Sequence, residues 1–233
     1  MENPPSHAPA SSEPAPVPGA RSAAKRSKQS QRGPAVSMLL GGLAFSVVSV
    51  LAYSLWAFPP GFIKGELALY SSIALTYLLL AGLFLHRLVP GERKIVRFYA
   101  AFVPGFLAYS ILWTICYFSL RGTLGETVGS ALGLAALTAI MLAVLQRRFC
   151  WFWECLGILF LLHTLGYTLG GLCYYSTYES GTSFGAESRL LAPLLEGHQQ
   201  FGRLLWGFFH GFGFGAGLGY LFTRPRRIST DTA

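Results

Sequence analysis

Between positions 35 and 57 the chain reads AVSMLLGGLAFSVVSVLAYSLWA, twenty-three residues without one charged side chain. A helix needs roughly 20 apolar residues to cross the hydrocarbon of a bilayer. Nothing in the stretch alternates apolar with polar side chains, as a strand of a membrane barrel does. In lipid the backbone groups of a spanning segment must be satisfied within a helix or a closed barrel. The stretch therefore reads as a membrane-spanning helix, and it sets the reading of everything after it.

Five blocks of the same character follow, at about 67–86, 97–118, 127–146, 151–175 and 203–222. The predicted fold is all-α: an integral membrane bundle of about six transmembrane helices in one domain over 35–222. Composition agrees, since 52% of residues are hydrophobic and 12% charged, about half the charged share of a soluble domain. Residues 1–34 carry seven prolines and the cations Arg21, Lys25, Arg26, Lys28 and Arg32, and read as a disordered basic tail. Residues 223–233 form a second short basic tail. The first block is too long for the core of a cleaved signal peptide.

The net charge of +8 sits beside spans rather than on one basic face, so no nucleic-acid partner is expected. Of the 18 Lys and Arg, 14 lie in the two tails, in the 87–97 connection or at Arg147 and Arg148. Positively charged connections stay on the cytoplasmic side. The expected topology has both termini cytoplasmic in a cell membrane, the inner membrane for a bacterial source. Aromatic residues mark the opposite ends: Trp56 and Phe58; Trp113, Tyr117 and Phe118; Tyr174, Tyr175 and Tyr178. In the longest connection, 176–202, Leu190, Leu191, Leu194 and Leu195 fall at helical spacing and predict a short amphipathic helix on the membrane surface.

The chain repeats itself. Leu51-Ala52-Tyr53-Ser54-Leu55-Trp56 returns as Leu107-Ala108-Tyr109-Ser110-Ile111-Leu112-Trp113, and each copy is followed by Gly-Glu, at 65–66 and 125–126. A fainter third copy aligns Cys173-Tyr174-Tyr175 with Cys116-Tyr117-Phe118. Repeated helical hairpins are one expectation, and transporter folds use repeats to place a site on the repeat axis.

Polar groups inside a bilayer are functional candidates by default. Four stand out: Glu154, His163 and Tyr167 in the fifth span and His210 in the sixth. Glu154 lies near the basic end, within helical reach of Arg147 or Arg148, and faces away from His163. Gly207, Gly211, Gly215 and Gly219 recur every four residues in the sixth span, with Gly213 and Gly217 as a second row. Such rows let another helix approach closely. Gly166 and Gly170 share the spacing, so the fifth and sixth spans are expected to pack together. Cys116 and Cys173 lie near the same membrane face and form a candidate disulfide, whereas no cysteine spacing suggests a metal site.

Four functions use these residues. The leading one is a non-enzymatic component that binds lipid or another membrane protein, with no cofactor. The alternative is a small transporter or transporter subunit. A haem protein would use His163 and His210 as axial ligands. The last is an intramembrane hydrolase: His210-x-x-Gly213-x-x-x-Gly217 resembles the histidine-bearing helix of rhomboid proteases, and the resemblance implies Ser130 as nucleophile. It covers about eight residues, the family's G-x-S-G is absent, and the only asparagine is Asn3.

Overall fold

A computed structural model of the chain describes residues 33–177, 191–195 and 197–224. It contains six long helices: α1 (Pro34–Ala57), α2 (Glu66–Leu85), α3 (Lys94–Leu120), α4 (Gly122–Val144), α5 (Phe152–Tyr175) and α6 (Gln199–Phe222). No strand occurs among the described residues. Each helix begins and ends within a few residues of the apolar block that predicted it. The N-terminal tail up to residue 32 and residues 225–233 lie outside the described residues, as does most of the long connection. The amphipathic helix expected there is represented by the single turn Ala192–Leu195.

By length and composition α1 to α5 are apolar enough to cross a membrane. The fold is thus an all-helical bundle of multi-pass membrane type. The sixth helix differs from the expectation in one respect. It is 24 residues long, yet the glycines between 207 and 219 dilute its apolar content below that of the others. Its depth is nonetheless that of α1, because it runs antiparallel along α1 from Tyr53, opposite Gly207, to Ser37, opposite Gly219.

Two glycine rows give α6 two close neighbours. Gly207, Gly211, Gly215 and Gly219 face Tyr53, Ser49, Phe45, Gly41 and Ser37 of α1. Gly213 and Gly217 face Leu162, Gly166 and Leu159 of α5, and Trp206 sits over Gly170. The expected α5–α6 contact is present, but the main row is turned to α1. The reason lies in α1 itself, where Ser37, Gly41 and Ser49 are all small and fall on one face. Ser46 adds a hydrogen bond across this interface, its Oγ donating to the Phe208 carbonyl at 3.1 Å. Both rows are therefore occupied within the chain and do not remain open to a partner.

On the lipid side the polarity is that of a membrane protein. Leu39, Leu43, Val47 and Leu51 run down α1 exposed, while Phe45, Val48 and Ala52 on its other face are buried. The centre holds Phe45, Phe102, Phe106 and Phe214, whose rings lie between 5.0 and 6.3 Å apart, centroid to centroid. The third helix runs unbroken through Pro104, so it lacks the interruption that many transporters place at mid-membrane. It turns into α4 through Arg121 and Gly122 alone, both left-handed at φ 59° and 58°. Glycine accepts that conformation freely.

The hairpins are not equivalent. In the second, Gly125, Gly129 and Gly133 of α4 sit directly on Cys116, Trp113 and Tyr109 of α3. In the first, α2 buries only Tyr77, Ala81, Gly82 and Leu85, all in its second half. There Gly82 receives the Tyr99 ring, and the Tyr99 hydroxyl donates to the Leu79 carbonyl. The first half of α2 buries no residue fully, although Ile73 and Ala74 pack against the core, and the site described next opens beside it.

Candidate functional site

Between the first half of α2 and the other helices lies a cleft of about 760 Å³. Residues from all six helices line it, at the end of the bundle that carries the aromatic residues. That volume suits a drug-sized molecule. The walls are mostly aromatic. Trp113 and Tyr117 stack at 4.9 Å and 8°, and Tyr70 meets both edge-on at 6.1 and 6.4 Å. Behind them Trp206 packs among Tyr167, Tyr174 and Trp56 with ring centroids 5.1 to 5.6 Å apart. Arg203 closes the top of α1 by donating to the Trp56 carbonyl at 2.7 Å, its guanidinium 4.8 Å above the indole.

The deep end of the cleft is polar. His210, which lines it, and the buried His163 touch through their Nε2 atoms at 3.2 Å. Each histidine has its own tyrosine: Tyr53 Oη lies 3.4 Å from His210 Nδ1, and Tyr109 Oη 3.2 Å from His163 Nε2. Ser130 lies beside Tyr109, and Tyr77 shares a 2.6 Å hydrogen bond with Ser49. One Nε2 of the histidine pair must carry a proton and the other accept it. If His210 donates, Tyr53 donates to its Nδ1. If His163 donates, His210 Nδ1–H is turned toward the Tyr53 oxygen. Tyr109 and His210 compete for His163 Nε2, which offers one proton or one lone pair. The four side chains therefore form a polar cluster spanning α3, α5, α6 and α1 rather than a continuous chain of bonds.

These tyrosines were not singled out in the sequence, although a signal for them existed. Tyr53 and Tyr109 are corresponding residues of the repeated Leu-Ala-Tyr-Ser, and each binds one histidine. Trp56 with Trp113, and Glu66 with Glu126, are the corresponding residues of the rest of the repeat, and all four line the cleft. The first two hairpins therefore contribute matched residues to one site, despite packing differently.

Of the remaining candidates, Tyr167 belongs to the cleft wall, beside Glu126. Glu154 does not reach it. Its carboxylate accepts from the Tyr220 hydroxyl and pairs with Arg224 at 3.4 Å. The expected partners were Arg147 or Arg148, but Arg147 is turned inward to α6, donating to the carbonyls of Phe222, at 2.8 Å, and Arg224. Burial lowers the pKa of that guanidinium from its ordinary value. The candidate disulfide is not formed. Cys116 faces Gly129 of α4 while Cys173 lies by Gly202 of α6, and both are free.

Axial haem ligation needs the two imidazoles on opposite sides of an iron with the ring between them. Here they hydrogen-bond each other directly, so the residues present do not fit that group. Among the described residues no cluster of three or more His, Cys, Asp and Glu could hold a metal ion. Ser130 lies beside Tyr109, and the hydrogen-bond partners found for His210 are His163 and Tyr53. The serine–histidine contact implied by the rhomboid resemblance is thus not among those His210 makes with the described residues.

No family model, curated protein or solved structure matches this chain. Its functional reading rests on the site alone.

Proposed function

We propose that the protein is a multi-pass membrane protein that binds a small amphipathic molecule in the cleft beside α2, without chemical turnover. The supporting observation is the cleft of about 760 Å³, walled by aromatic rings and ending on hydroxyl and imidazole groups. A lipid-like or drug-like molecule matches such a lining, apolar for most of its surface with a few fixed polar groups. Filling the cleft tests the reading. Ala74 lies in its wall, so Ala74→Trp places a bulky ring in the space while leaving the glycine interfaces untouched. Small molecules extracted from the detergent-purified wild type and identified by mass spectrometry are expected to be depleted at least about tenfold in the variant, at similar thermal stability. Equal amounts in both proteins would remove the cleft as the binding site.

The histidine pair at the deep end supports transport as a second reading, since it joins the cleft to polar groups on four helices. Movement of the bound molecule across sealed liposomes separates a carrier from a binding protein. Retention of all of it on one side rejects the carrier.

The proposed orientation places both termini in the cytoplasm, in a cell membrane, by the positive-inside rule. Cys150 is exposed and sits between α4 and α5, at the basic end. A membrane-impermeant maleimide is expected to label it only after the cells are permeabilised. Labelling of Cys150 in intact cells reverses the topology.

A further inference from the structure

We infer that the cleft selects an organic cation: a protonated amine or quaternary centre attached to an apolar body. The inference rests on the proposed binding role of the cleft and adds the charge of the ligand. Among the described residues Glu66 and Glu126 are the only Asp, Glu, Lys or Arg side chains in the lining. Among the described residues the ion pair formed is Arg224–Glu154, at the far end of the bundle. Glu126 is half-buried with the Tyr167 hydroxyl beside it, and among the described residues it forms no ion pair.

A carboxylate held partly out of water without a counter-ion is costly, and a bound cation would relieve that cost. The surrounding rings point the same way. Tyr70 lies within electrostatic reach of both carboxylates and of Tyr117, and Tyr70, Trp113 and Tyr117 enclose one corner of the mouth. Aromatic faces carry negative potential, and recognition of quaternary ammonium groups by clustered rings uses it. Among the described lining residues an anionic ligand would meet two carboxylates and several ring faces, while the guanidinium of Arg203 at the rim is held by the Trp56 carbonyl and ring. The two glutamates are corresponding residues of the repeat, so the charge is supplied once by each of the first two hairpins.

Tetraphenylphosphonium and tetraphenylborate form a matched pair of probes, alike in shape and apolar surface and opposite in charge. Binding of each to the full-length protein in uncharged detergent is read from quenching of tryptophan fluorescence. The cation is expected to bind at least about tenfold more tightly than the anion, and Glu126→Gln to weaken the cation by about tenfold while leaving the anion unchanged or tighter. Glu66 is exposed, so Glu66→Gln is expected to weaken the cation by a smaller factor and cannot disturb packing. A melting temperature near that of wild type confirms that each variant is folded.

Equal affinity for the two probes, with neither glutamine variant changing either, overturns the charge selectivity and leaves the binding role standing. Tighter binding of the anion also overturns it. Failure of both probes to bind, together with an unchanged small-molecule content in Ala74→Trp, removes the binding role itself.

Discussion

Gly215→Val is expected to separate α1 from α6 and to rank among the most destabilising single substitutions in the protein. A Cβ added at Gly215 would stand well inside van der Waals distance of the Gly41 carbonyl oxygen and the Phe45 Cβ. The first of these is backbone and cannot rotate away. Overpacking a well-filled core costs about 1–3 kcal/mol where side chains can yield, and here the two helix axes must part instead. The cost is therefore set at about 3 kcal/mol or more. Gly157 provides the control, since nothing lies within 4 Å of a Cβ built there. Gly157→Ala removes a helix-weakening residue at no steric cost and is expected to stabilise by about 0.5–1 kcal/mol. Denaturant unfolding in detergent measures both. Equal midpoints for the two variants would show that the α1–α6 contact does not depend on the missing side chain.

The second large effect is expected at the other end of α6. Arg147 is only 3% exposed, and its guanidinium reaches from the α4–α5 connection to the last carbonyls of α6. Those carbonyls have no partner within their own helix, and the helix C-terminus carries partial negative charge. One cation thus satisfies several acceptors and ties the end of α6 to the preceding hairpin. Arg147→Ala leaves the acceptors without their donor and is expected to cost about 3 kcal/mol, since hydrogen bonds to charged groups contribute about 1.5–3 kcal/mol each. Arg147→Lys should recover only part of this, because one ammonium cannot reproduce the planar fork. Hydrogen exchange of Tyr220 to Arg224 reads the effect directly. It should accelerate strongly in Arg147→Ala and moderately in Arg147→Lys, and unchanged exchange in both would deny Arg147 that role.

The spans were legible because an apolar block of bilayer length has few other uses, and their ends were marked by Trp, Tyr and Arg. The glycine rows were legible as contact faces, but periodicity identifies a face and not the neighbour that meets it. Gly215 finds Gly41 of α1, and the matching signal, small residues at Ser37, Gly41 and Ser49, lay in the first span. His163 and His210 were visible as polar residues of the fifth and sixth spans, whereas their direct contact depends on how far α5 and α6 approach, which the two glycine rows set together. The cleft was the least legible element. It lies beside the half of α2 that buries no residue fully, and nothing in the residue pattern of α2 distinguishes the loosely packed half from the closely packed one. The repeat was the nearest signal, since it marked Tyr53, Tyr109, Glu66 and Glu126 before any reason for them was visible.

The pairing of α1 with α6 also sets a schedule for biosynthesis. Ser46 and the Phe208 carbonyl that it bonds are 162 residues apart, and ribosomes add about 5–20 residues per second. The first helix therefore waits in the membrane for roughly 8 to 30 seconds before its partner is made. During that interval Ser37, Gly41, Ser46 and Ser49 form a polar, notched stripe facing lipid, a surface that an insertase or a membrane protease can recognise. Any chain that stops before α6 keeps that stripe uncovered permanently, so truncated products of this protein should be cleared faster than their remaining hydrophobicity would suggest.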